Sequence, residues 1–108
     1  MLLLDFAPFT LTITGGLSDV IPVNNADGFN LYAIATASTT SGVLGVETAA
    51  SKDQAGTWPE DNTLSFTGGA DGEFHAAIES AANFVRIRLK SGSNVTVKLQ
   101  RWRKGGGN

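Results

Sequence analysis

Phe84-Val85-Arg86-Ile87-Arg88-Leu89-Lys90, then Ser91-Gly92-Ser93-Asn94, then Val95-Thr96-Val97-Lys98-Leu99-Gln100 is the stretch whose reading decides the fold. Apolar and polar residues alternate with period two on both sides of four turn-forming residues. That is the pattern of strands with one face in a core and the other in water. Val85, Ile87 and Leu89 make one apolar stripe; Val95, Val97 and Leu99 make a second. The Ser-Gly-Ser-Asn break predicts a hairpin, with the two stripes side by side on one wall of a sandwich. Burying these six side chains contributes roughly 9–15 kcal/mol before ordering costs.

The same period recurs toward the N-terminus. Glu73 to Ile78 alternates with Phe74, Ala76 and Ile78 inward, and Leu64-Ser65-Phe66 is a short strand. Val43 to Ala49 is another, with Gly45 marking a bulge or a weak point. Phe29 to Ser38 is long and apolar on both faces, with Tyr32 and Ile34 opposite Phe29, Leu31 and Ala33, as in a central strand whose outer face is covered. Phe9 to Thr14 alternates apolar and hydroxyl residues, and Gly15-Gly16 ends it. Asp19 to Val23 contains Pro22, which cannot donate to a ladder and belongs at an edge. Leu2-Leu3-Leu4 could add an edge strand to its own sheet or to a neighbour. Ala76 to Asn83 is rich in alanine, but it is too short for a stable helix and has no convincing cap.

Seven to eight short strands with glycine-rich turns predict an all-β chain, a compact antiparallel β-sandwich; a jelly roll and an immunoglobulin-like strand order are both open. A length of 108 residues fits one domain, here 1–104, followed by a flexible tail at 105–108. Gly, Ser, Thr and Asn fill 39 positions and charged residues only 17%, which argues against a helical bundle. No cysteine is present, so disulfides, thiolate metal sites and thiol catalysis are excluded. The opening Met1-Leu2-Leu3-Leu4 meets Asp5 too soon for a secretory core or a membrane span, and no membrane partner is expected.

The net charge of −2 hides a polarised chain. Residues 1–85 hold all ten acids and only Lys52, whereas residues 86–108 hold seven cations and no acid. The last strands could neutralise acidic ones within the chain, or present a basic patch to neighbouring subunits. Nucleic-acid binding is not expected, because overall charge is negative and no recognition motif accompanies the basic cluster.

Candidate chemistry is sparse. His75 is the only histidine, so a serine triad or a histidine-rich metal site is not expected; with Glu73 it belongs to a solvated strand face. Asp19, Asp27, Asp53, Glu60, Asp61 and Asp71 lie in or beside turns, but none fits a calcium-loop pattern. Glu60-Asp61 with Glu73 is the one carboxylate set open to a glycosidase reading. No enzyme activity, cofactor or metal is expected. Trp58, in a polar loop, is either a core cap or a plate for a sugar or a partner protein. Trp102 shares parity with Lys98 and Gln100, so it points outward unless a bulge resets it; beside Arg101, Arg103 and Lys104 it fits an interface anchor. Arg86, Arg88 and Lys90 form a cationic stripe that needs water or acids against it. Tyr32, Ile34, Arg86, Arg88, Lys90, Trp102 and Arg103 are therefore the candidate interface residues, and Trp58 the candidate loop-recognition residue.

Leu44-Gly45-Val46-Glu47-Thr48-Ala49-Ala50-Ser51-Lys52-Asp53 followed by Gly56-Thr57-Trp58, together with Asn83 to Gly92 and Val95-Thr96-Val97, resembles small β-sandwich accessory proteins of tailed-bacteriophage virions, the head-decoration (cement) and tail-associated domains. Gln54-Ala55, between Asp53 and Gly56, departs from that group's loop pattern. The resemblance implies a virion location, a homo-oligomer with a trimer favoured, contact with a capsid or tail protein, and no catalytic residue or cofactor to carry over. The alternative is a carbohydrate-binding or receptor-binding module using Trp58, Tyr32 and loop acids on a glycan.

Overall fold

The alternation becomes two antiparallel sheets. The computed structural model describes residues 2–3, 9–13, 16–24 and 26–103, the first two stretches by their backbone alone. The tail expected at 105–108 and the inward set Phe9, Leu11 and Ile13 lie outside the residues and side chains described. The strands are β1 (Leu2–Leu3), β2 (Phe9–Ile13), β3 (Gly16–Leu17), β4 (Ile21–Pro22), β5 (Gly28–Ala35), β6 (Thr40–Ala49), β7 (Glu60–Phe66), β8 (Gly72–Glu79), β9 (Phe84–Ser93) and β10 (Val95–Arg103).

The first sheet runs β8–β5–β10, with β1 and β2 both paired to β10. The second runs β7–β6–β9, with β3 and β4 both paired to β9. Ten described segments thus fill eight strand positions, four in each sheet. Pro22 sits at an edge, opposite Phe84, where its missing N–H costs no ladder bond. Leu2 and Leu3 pair with Arg103 and Trp102 of their own chain.

One expectation is overturned. β9 and β10 are not a hairpin: β9 lies in the second sheet and β10 in the first, and the chain crosses between them at Asn94, which has φ 57°. Val85, Ile87 and Leu89 therefore belong to the opposite wall from Val95, Val97 and Leu99, and all six are buried. Alternation fixes which face of a strand is apolar, not which strand lies beside it. Ser-Gly-Ser-Asn serves a sheet-switching corner as readily as a two-strand turn. β7 is also longer than expected, and Ala76 to Glu79 is strand rather than helix.

The core is filled by Phe29, Leu31 and Ala33 of β5, Ile78 of β8 and Val95, Val97 and Leu99 of β10 from one side. From the other come Ile21, Leu44, Val46, Phe66 and Val85, Ile87 and Leu89. The shortest dimension is 19 Å, which leaves room for two layers spaced about 10 Å apart and none for a third.

Three connections that change sheet meet at one end, and Thr39 laces them together. Its hydroxyl donates to the Asn94 carbonyl at 2.7 Å and accepts from the Thr36 N–H at 2.9 Å, while its own carbonyl accepts from the Gly69 N–H at 2.9 Å. Thr39 is 4% exposed. Thr39→Val keeps the shape but leaves the Asn94 carbonyl and the Thr36 N–H without that partner. The expected cost is about 1–3 kcal/mol in chemical denaturation, with the slope unchanged.

Candidate functional site

The outward residues divide into two faces of different character. On the second sheet, Glu47 follows a register shift between Val46 and Glu47 and stands opposite Arg86 of β9. Its carboxylate accepts from Arg86 Nε at 2.7 Å and from Arg88 Nε at 2.5 Å. The glutamate is only 6% exposed. Burial pushes its carboxyl up, but the hydrogen bonds and charges of Arg88 and Arg86 outweigh that and hold it below the ordinary 4.5. The same hydrogen bond raises Arg88 above its usual value.

The loop after β6 closes over this cluster. Trp58 is 4% exposed, the Arg86 guanidinium lies 4.3 Å from its ring centroid, and its Nε1 donates to the Gln54 carbonyl. The stacking adds a cation–π contact to a guanidinium already held by carboxylate. Trp58 is thus buried without joining the main core cluster. Farther along β9, Lys90 pairs with Glu60 at 3.0 Å across the bare backbone of Gly45. The cationic stripe Arg86–Arg88–Lys90 is therefore met by two acids of its own chain.

The outer face of the first sheet is laid out in rows by its register. Glu73, Ile34 and Thr96 form one row; His75, Tyr32 and Lys98 the next; then Ala77, Asn30 and Gln100; then Glu79, Gly28 and Trp102. Tyr32 and Ile34 are half-buried in the central column. The rings of Tyr32 and His75 lie 6.0 Å apart, tilted at 37°. Trp102 keeps the outward parity, since register runs unbroken from Thr96 to Trp102, and yet is 5% exposed. Gly28 makes this possible: a Cβ there would meet the Ile78 carbonyl and sit 2.5 Å from Trp102 Cζ2. Trp102 Nε1 has no hydrogen-bond partner among the described residues. Arg103 is exposed at the end of β10.

The candidate interface residues are therefore split. Tyr32, Ile34 and Trp102 share the outer face of the first sheet, while Arg86, Arg88 and Lys90 lie on the outer face of the second. Sequence reasoning missed Glu47 as the centre of the charged cluster. Its place opposite Arg86 depends on pairing, and no local signal carries that.

At the end opposite Thr39, the loops after β6 and β8 border a cleft of about 450 Å³, with Gln54, Asp61, Glu79 and Asn83 among its lining. Asn83 Nδ2 donates to the Ala50 carbonyl across the gap. The carboxylates open to a glycosidase reading are dispersed: Glu60 is ion-paired on the second sheet, and Glu73 stands on the outer face of the first. Among the described residues no three histidines or acids gather as a metal site. No described helix is long and apolar enough to cross a membrane. No family model, curated protein or solved structure matches this chain.

Proposed function

We propose that this domain is a jelly roll and acts as a non-enzymatic virion structural protein, decorating or stabilising a phage capsid or tail surface through protein–protein contacts as an oligomer. The observation that carries the reading is the strand order. With β1/β2 as the first position and β3/β4 as the second, position one pairs with eight, two with seven, three with six and four with five. That order is the one expected of a long two-stranded ribbon wound over two sheets and supports the jelly-roll reading; double-sheet jelly rolls recur in viral capsid and lectin domains.

Fold alone does not assign function. Two surface features favour protein contact over sugar binding. Trp58, the natural stacking plate for a sugar ring, is covered by Arg86. The first sheet instead presents a broad face of half-buried and polar side chains around Tyr32 and Ile34.

The test is binding of the purified protein to expanded, undecorated shells and to tails, followed by co-sedimentation. Saturable binding to either particle is the expected result. No binding to shells at any maturation stage and none to tails would remove the proposal.

A further inference from the structure

We propose that the outer face of the first sheet is a two-fold contact surface for a second copy of this chain. The inference rests on the reading of the protein as an assembly component and names the partner that this face takes. Its warrant is the charge layout. The apolar groups Ile34 and Tyr32 occupy the central strand, with acid on one flank at Glu73 of β8 and a cation on the other at Lys98 of β10. On the opposite face of the sandwich, Arg86, Arg88 and Lys90 each have an acid of their own chain. Glu73 and Lys98 have no ion-pair partner among the described residues, and β5 stands between them.

A two-fold axis parallel to β5 lays β8 of one copy over β10 of the other. Glu73 then faces the Thr96–Lys98 stretch of the second copy, and Lys98 faces its Glu73–His75 stretch. Two reciprocal acid–cation pairs form, while Tyr32 and Ile34 meet their counterparts along the axis. This is the self-complementarity that an isologous contact requires. It closes as a pair rather than as the trimer favoured by the family resemblance. Among the described residues, the 19 Å thickness leaves no third layer over this face.

Size sets the strength. Three strands overlap about an axis on β5, and three strands at about 4.8 Å by four rows at about 6.8 Å give roughly 300–400 Å² in projection, below the ~800 Å² per partner of a standard interface. Self-association is accordingly weak, on the order of micromolar to millimolar, and is strengthened when a particle surface holds the copies together.

Sedimentation equilibrium up to about 1 mM tests this on the full chain. Wild-type protein is expected to dimerise. Glu73→Lys and Lys98→Glu, both on the outer surface, are each expected to weaken dimerisation at least about tenfold. An equimolar mixture of the two variants restores both pairs in the mixed dimer, because each lysine then faces a glutamate, so its apparent association should recover to within about twofold of wild type, the mixed pairing being the only strong one. Wild-type protein that stays monomeric at about 1 mM, variants that dimerise unchanged, or a mixture no heavier than its components would each overturn the inference. Shell and tail binding separates this result from the functional reading. A strict monomer that still decorates particles sinks the two-fold surface alone, and a dimer that binds neither particle sinks the virion role alone.

Discussion

Phe29→Ala is expected to cost about 3–5 kcal/mol, a fifth or more of the 5–15 kcal/mol typical of a whole domain. Phe29 has no exposed surface and lies on β5, between Ile78 of β8 and Arg101 of β10 in the register of the first sheet. Truncation removes the transfer energy of the ring and leaves a cavity between two sheets whose backbones are fixed by their own ladders, so the walls close only in part. Urea denaturation should show a lower midpoint with an unchanged slope. Phe74→Ala is the internal control. Phe74 points inward on the edge strand β8 but is only partly buried against the core, so its loss should be clearly smaller. Equal losses at the two positions would place the centre of the core elsewhere.

Glu47→Ala is expected to cost about 2–4 kcal/mol, through what it leaves behind. Arg86 is held between this carboxylate and the Trp58 ring with 17% of its side chain exposed, and without Glu47 its charge is half-desolvated and unpaired. Arg88 is far more exposed and can turn into water. The same carboxylate gives a pH signature. Its value in the folded chain lies below the ordinary 4.5, so the stability it adds is complete above that value. It is lost as pH falls through the depressed one. Wild-type stability should therefore fall on acidification in a way that Glu47→Gln, less stable at neutral pH, does not reproduce. Parallel pH profiles for the two proteins would show that Glu47 is not tied to the arginines in solution.

Much of this molecule was legible in its alternation. The inward sets of β5, β8, β9 and β10 follow from period two, and Pro22 reads as an edge residue because it lacks a donor. Partners were not legible. Val85 to Leu89 and Val95 to Leu99 look the same whether they lie side by side or face each other, and turn chemistry at Asn94 permits both. Glu47 reads as one acid in a strand until pairing puts Arg86 opposite it. Trp102 shows a different limit. Its parity was right, but burial depended on Gly28, 74 positions earlier, leaving space beside it. What a sequence states locally, it states well; what depends on who lies next door has to be seen.

The described early strands β1 to β4 take their partners from β9 and β10. Both sheet edges on that flank are therefore sealed by ladders that join the two extremes of the numbering. Until residues 84–103 are in place, the early segments have nothing to zip onto, and collapse of the middle strands cannot supply a substitute. Such distant closures make refolding slow, on the scale of milliseconds to seconds. During that wait, the raw margins of β9 and β10 are open to strands from other molecules. Dilute conditions should thus favour recovery after denaturation, whereas crowded refolding should yield tangled, cross-paired aggregates.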